Sequence, residues 1–124
     1  MRTVLGKTGV AVGALALMAS PLIVAAPAAA ADAMSCSHGY SNKSSKTGRI
    51  IGNGVNVRTG PHTSCGSTGV LNYDDGVYFH CWTNGTSVHG ESRWWHIRVN
   101  TTNWQGWVSN YYIDAVSPTA SEKC

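Results

Sequence analysis

Four cysteines, Cys36, Cys65, Cys81 and Cys124, follow the apolar start of a 124-residue chain, and they limit its possible folds more than any other feature. An even number of cysteines reads as a disulfide framework in an exported protein, and the first residues supply that context. Arg2 and Lys7 precede an apolar run from Val10 to Val24, and the small residues Ala29 to Ala31 come after it. That is the order of a secretory signal. Residues 1–31 are therefore read as a signal peptide cut before Asp32, with a cut after Ala33 as the alternative. Pro21 breaks the apolar run, and a membrane span needs roughly 18 or more uninterrupted apolar residues, so an anchor is disfavoured. The expected product is secreted, extracellular or cell-wall associated, with no membrane attachment once the signal is gone. It carries two disulfides in any of three pairings. Cys36-Ser37-His38 is the nearest approach to a metal-ligand pair, but no CxxC-like spacing accompanies it, so neither metal nor cofactor is expected.

Loss of the signal leaves 93 residues, one domain in which a hydrophobic core alone is marginal and covalent fastening is needed. Seven basic residues then face six acidic ones. That balance excludes a nucleic-acid partner recognised through its phosphates.

Residues 32–48 are rich in Ser, Lys, Asn and Gly and read as a flexible polar arm. From Arg49 the pattern turns to short alternating runs bounded by Gly, Asn and Asp, the mark of strands and tight turns. Val55 and Val57 alternate with Asn56 and Arg58 and end at Thr59-Gly60-Pro61. Val70, Leu71 and Tyr73 form a second run, stopped by Asp74-Asp75-Gly76, which favours a hairpin to the next strand. In Val77-Tyr78-Phe79-His80-Cys81-Trp82, strict alternation puts Val77, Phe79 and Cys81 in the core and Tyr78, His80 and Trp82 outside. Asn84-Gly85 and His89-Gly90 frame a loop. Beyond it, Trp95, Ile97 and Val99 face the core and Trp94, His96 and Arg98 face away. Gln105-Gly106-Trp107-Val108 is the last main strand, before Tyr111-Tyr112-Ile113. Five short strands without helices indicate an all-β fold, a small partly open barrel.

The order Val55-Asn56-Val57-Arg58-Thr59-Gly60-Pro61, Gly76, Trp94-Trp95-His96-Ile97 and Gly106-Trp107-Val108-Ser109-Asn110-Tyr111-Tyr112-Ile113 resembles the bacterial SH3 domain over residues 49–116. Residues 117–124 are then a C-terminal tail. The paired cysteines and the Asn84–Gly90 loop are similar to the variant found in small secreted actinobacterial proteins. The resemblance implies a five-stranded SH3-like barrel with Cys65 bridged to Cys81, and with it Cys36 to Cys124. It also implies binding of cell-wall peptide, the peptidoglycan stem or cross-bridge. Leu71 and Tyr73 depart from the family pattern, and no hydrolase domain accompanies the module.

Catalysis is disfavoured by the residues themselves. His80 beside Cys81 resembles a thiolate pair, but neighbouring strand positions point to opposite faces. No GxSxG-type elbow accompanies the available Ser, His and Asp residues. The five Trp and five Tyr against one Phe are more informative, because an apolar body with a polar tip suits a half-exposed binding platform. Trp95 and Trp107 are assigned to the core. Trp94 and Tyr112 are the first ligand-binding candidates, from strand alternation and from the resemblance, with Asn56 and Arg58 as polar contacts on the neighbouring face. Trp82 and His96 are weaker candidates. The expected function is a secreted, non-catalytic binding module for cell-wall peptide; the alternative is an interaction or inhibitor domain for an extracellular protein.

Overall fold

The computed structural model describes residues 35–114 and 117–124; the expected signal peptide and its two cleavage points lie outside the described residues. Six strands form one antiparallel sheet: β1 (Thr47–Arg49), β2 (Val55–Arg58), β3 (Ser67–Leu71), β4 (Gly76–Val88), β5 (Glu91–Val99) and β6 (Gln105–Ser109). Their order in the sheet is β1-β4-β5-β6-β2-β3, and the sheet curls into an open half-barrel. The fold is all-β, with six strands where five were expected, because the end of the polar arm pairs with β4 as β1.

Alternation sets the inner face. Val55 and Val57 of β2, Val77 and Phe79 of β4, and Trp95, Ile97 and Val99 of β5 are buried in one cluster with Ile50, Leu71, Val108 and Ile113. Each such side chain contributes roughly 1.5–3 kcal/mol by leaving water. Gly106 of β6 sits opposite Ile97, and a Cβ there would lie 2.5 Å from the Val57 side chain. This position is glycine because β6 runs directly beside β2 there and the Val57 side chain fills the space a Cβ would need.

Three expectations are corrected. The turn at Asp74-Asp75-Gly76 exists, with Asp74 at φ 76°, but it does not make a hairpin. Both sides of β4 are taken by β1 and β5, so β3 pairs only with β2 at the opposite edge. Asn84-Gly85 does not open a loop either: it stays within the 13-residue β4, and the hairpin turns at His89-Gly90.

The third correction follows from a β-bulge at His80. Phe79 pairs with Ile97 and Cys81 with His96, so two residues of β4 oppose one step of β5. An extra residue shifts the alternation by one position. Cys81 therefore shares the outer face with His96, and Trp82, opposite Trp95, packs onto the core cluster.

That outer face is covered, not wet. The arm runs across it as a strap. Tyr40 stacks on His96 with ring centroids 3.5 Å apart, and His38 meets Trp107 edge-on at 5.3 Å. The Lys43 N–H donates to the His80 carbonyl, and the Tyr78 hydroxyl donates to the Ser44 carbonyl. The tail lies alongside: Lys123 bridges Trp82, and the Cys124 N–H donates to the Trp82 carbonyl. Lys46 of the strap and the buried Glu122 of the tail form an ion pair at 2.9 Å.

These courses decide the disulfides, which are Cys36–Cys65 and Cys81–Cys124. The pairing implied by the resemblance, Cys65 with Cys81 and Cys36 with Cys124, is overturned. Cys36 lies directly over the turn at Gly60, where a Cβ would come within 2.6 Å of its Cα, so its nearest partner is the cysteine of that loop. The tail brings Cys124 to the bulged strand, where Cys81 faces outward. The arm is stapled to the loop between β2 and β3 and the tail to β4, not to each other.

His80 and His96 meet beneath the strap with Nδ1 atoms 2.9 Å apart. One must donate and the other accept, so two protonated rings would face each other with like charge and no acceptor. Burial, then the charge of Arg98, lowers the pKa of His80. Burial, then His80, takes His96 from 6.5 to about 4. Tyr40, Tyr78 and Trp107 are the other rings around the pair, and none carries a compensating negative charge. Both folded pKa values lie below their unfolded ones, so the unfolded chain binds more protons as pH falls below 6.5. Stability is complete above that value and declines towards pH 4. Urea unfolding at pH 4.5 is expected to show on the order of 2 kcal/mol less stability than at pH 7. A His80→Asn/His96→Gln variant should flatten this decline, and an equal decline in the variant would refute the assignment.

Candidate functional site

The residues predicted to bind ligand come together. Asn56 and Arg58 of β2, Trp94 of β5 and Tyr112 all line one cavity of about 130 Å³, together with Asn53, Thr63 and Val88 among others. Each is positioned by local chemistry. Asn56 and Arg58 alternate with the buried Val55 and Val57, so they face out. Tyr112 ends a 3-10 turn, Asn110–Tyr112, whose first N–H bond is made by the Tyr111 N–H to Ser109 Oγ. The Ile51 N–H donates to the Tyr112 carbonyl at 3.0 Å and so fixes the end of the turn.

Asn53-Gly54 makes one rim. Gly54 adopts φ 65°, a conformation that glycine reaches without strain. Asn72 Oδ1 accepts the Gly54 N–H, and Asn53 Oδ1 accepts the Tyr73 N–H, so the rim is tied to the loop after β3. The opposite side is the Pro61–Cys65 loop, docked through Thr86. The Thr86 N–H donates to the Pro61 carbonyl, and Thr86 Oγ1 accepts the Thr63 N–H and contacts His62.

Trp94 points away from the core cluster, as alternation requires, but it is only 2% exposed. Its indole N–H donates to the Thr86 carbonyl at 2.8 Å, and the Pro61–Gly85 contact roofs the ring. It is thus a wall of the cavity, not an open platform. Tyr112, Asn56 and Arg58 are half-buried and reachable.

The two weaker candidates lie elsewhere. His96 is buried under Tyr40, and Trp82 packs on the core with its N–H bonded to the Thr119 carbonyl. Cys81 is half of a disulfide and holds no thiolate beside His80. Asn53, Thr63 and Val88 were not singled out from the sequence. The Asn53-Gly54 dipeptide was the one usable signal, because it marks a turn immediately before β2.

Electrostatically the cavity has one ionic group. Among the described residues, Arg58 is the one charged side chain in the lining, with no acid beside it. Glu91 and Arg93, on the neighbouring hairpin, neutralise each other at 2.8 Å, and the Arg93 hydrogen bond takes the Glu91 carboxyl down to about 2. Asn110 links that pair to the core by donating to Glu91 and accepting the Trp95 indole N–H.

The chain matches no protein-family model, no curated protein and no solved structure.

Gly85 provides a test of how the cavity wall is built. A Cβ there would lie 1.7 Å from the Pro61 carbonyl oxygen and 2.9 Å from the Trp94 ring. Gly85→Ala is expected to cost about 2–3 kcal/mol by urea unfolding, whereas Gly39→Ala, with open space around it, should change stability by less than about 0.5 kcal/mol. Equal effects would contradict the close approach of the two segments.

Proposed function

We propose that this protein is a secreted, non-catalytic module that binds cell-wall peptide in the cavity between β2, Trp94 and Tyr112. One observation carries the reading: Trp94, Tyr112 and the β2 pair Asn56 and Arg58, three separate parts of the chain, line a single concavity. Ligand sites combine apolar walls with a few convergent polar groups, and here Trp94 and Val88 meet Asn53, Asn56 and Arg58. At about 130 Å³ the cavity falls below the roughly 300–1,000 Å³ that encloses a whole small ligand. A cavity of that size suits one side chain or a short stretch of an extended peptide laid across the surface. The neutral amides on its rim match the donors and acceptors of a peptide backbone. We read the curled open sheet as an SH3-like barrel of the bacterial type, with β1 added at one edge. The two disulfides are consistent with an extracellular location, and residues 1–31 would direct the chain there.

A second reading has its own observation. Val70 on the edge strand β3 is 50% exposed and Tyr73 just beyond it 67%. An unpaired edge with apolar side chains suits an extracellular protein partner.

Sedimentation with purified peptidoglycan tests the first reading. Wild-type protein should pellet without releasing soluble fragments. Asn56→Ala and Tyr112→Phe alter reachable polar groups while keeping the Tyr112 ring that packs against the core, and they should weaken retention by about tenfold, a loss of about 1.4 kcal/mol, while leaving the unfolding midpoint near its wild-type value. Trp94→Ala is unsuitable because the buried ring supports the fold. Wild-type protein left wholly in solution would overturn wall binding and direct attention to β3.

A further inference from the structure

We infer that the cavity recognises a carboxylate on its peptide ligand and that Arg58 is the residue that reads it. The inference rests on the peptide-binding reading above and adds the charge of what is bound.

The arginines of the described residues differ in what they face. Arg49 is paired with Asp74 at 3.0 Å, and Arg93 with Glu91 at 2.8 Å. Arg98 lies over the Tyr78 ring, 4.6 Å from its centroid. Arg58 has no ion pair and no aromatic face among the described residues. It is also the arginine that lines the cavity.

Its orientation is set in advance. Nη1 donates to the Cys65 carbonyl at 2.8 Å. Cys65 is fixed in turn by its own N–H to the His62 carbonyl and by the bridge to Cys36. One edge of the planar guanidinium is therefore spent on the loop. The remaining N–H groups keep the fork geometry that matches a carboxylate with two parallel hydrogen bonds. Because the side chain is half-buried, the pair would be shielded in part from water and salt, unlike an exposed surface pair.

The chemistry selects a carboxylate over a phosphate polymer. A polyanionic chain recruits a run of cations, whereas the other lining groups here are amides, hydroxyls and apolar side chains. A single fixed positive charge ringed by neutral hydrogen-bonding groups fits one acidic group on an otherwise uncharged peptide. The absence of any acid in the lining leaves that charge uncompensated until such a ligand arrives.

The test uses the oxidised full-length mature protein and stem peptides released from purified peptidoglycan, either with free carboxylates or after conversion of those carboxylates to amides. Calorimetric titration should show the free-acid peptides binding more tightly than the amides by about tenfold or more. Arg58→Gln should erase that difference by weakening the acid form alone. Arg58→Lys, which keeps the charge but not the fork, should retain an intermediate preference and also guards against a folding defect in the first variant. Equal binding of acid and amide by wild-type protein would overturn the carboxylate assignment while leaving a peptide groove. A preference that persists in a folded Arg58→Gln protein would overturn the role of Arg58. No binding of either peptide form would overturn the peptide-binding reading, and the inference with it.

Discussion

The Cys36–Cys65 bridge holds a polar strap against a face of the sheet that could not be left in water. The six-stranded sheet curls to bury one face on itself, and among the described residues no second layer of strands or helices covers the other. Trp107, His96 and His80 occupy that second face and are nearly or wholly buried. The strap covering them lays only two rings on this face, His38 and Tyr40, and both are largely exposed. Hydrophobic burial by such a segment offsets little of the entropy of ordering a dozen residues, at roughly 1–2 kcal/mol per residue for the backbone. Covalent attachment removes much of that cost from the folding step, because the unfolded chain is already constrained. The same bridge fixes the loop whose Cys65 carbonyl orients Arg58. Fastening the strap and shaping the cavity are therefore one structural event.

The bulge at His80 makes the second bridge possible. Without the extra residue, Cys81 would point into the core among Phe79, Trp95 and Ile97, out of reach of a tail on the outside. With it, Cys81 turns outward to meet Cys124, and Trp82 turns inward to fill the vacated place. The bulge also presses His80 against His96. The fold thus carries a buried pair of imidazoles where strict alternation placed two outward-facing histidines.

Much of the inner face was legible from the sequence. Val55 and Val57, Val77 and Phe79, and Trp95, Ile97 and Val99 alternate without interruption, and all are buried as alternation requires. The position of Trp94 on the opposite face was equally legible; its burial was not, because that depends on Pro61 and Thr86 arriving from distant parts of the chain. The bulge left no mark in the sequence, so Cys81 and Trp82 came out inverted, whereas His80 keeps the outer face that alternation gave it. The disulfide pairing failed for a related reason. It depends on which face Cys81 presents and on the route of an arm whose composition reads as disordered. Asn56 and Arg58 fell beside Tyr112 because β2 pairs with β3 and β6 in a curled sheet, a long-range register that no local pattern encodes.

The account places the functional surface in the concavity bounded by Asn53–Arg58, Thr63, Val88 and Tyr112, on the side of β2 away from the core. The most direct measurement is an amide chemical-shift titration of isotope-labelled protein with soluble peptidoglycan fragments. Shifts that saturate together at those residues, with β3 and the strap unmoved, are the predicted result. Shifts centred on Val70 and Tyr73, or a spectrum unchanged at millimolar fragment concentration, would contradict it.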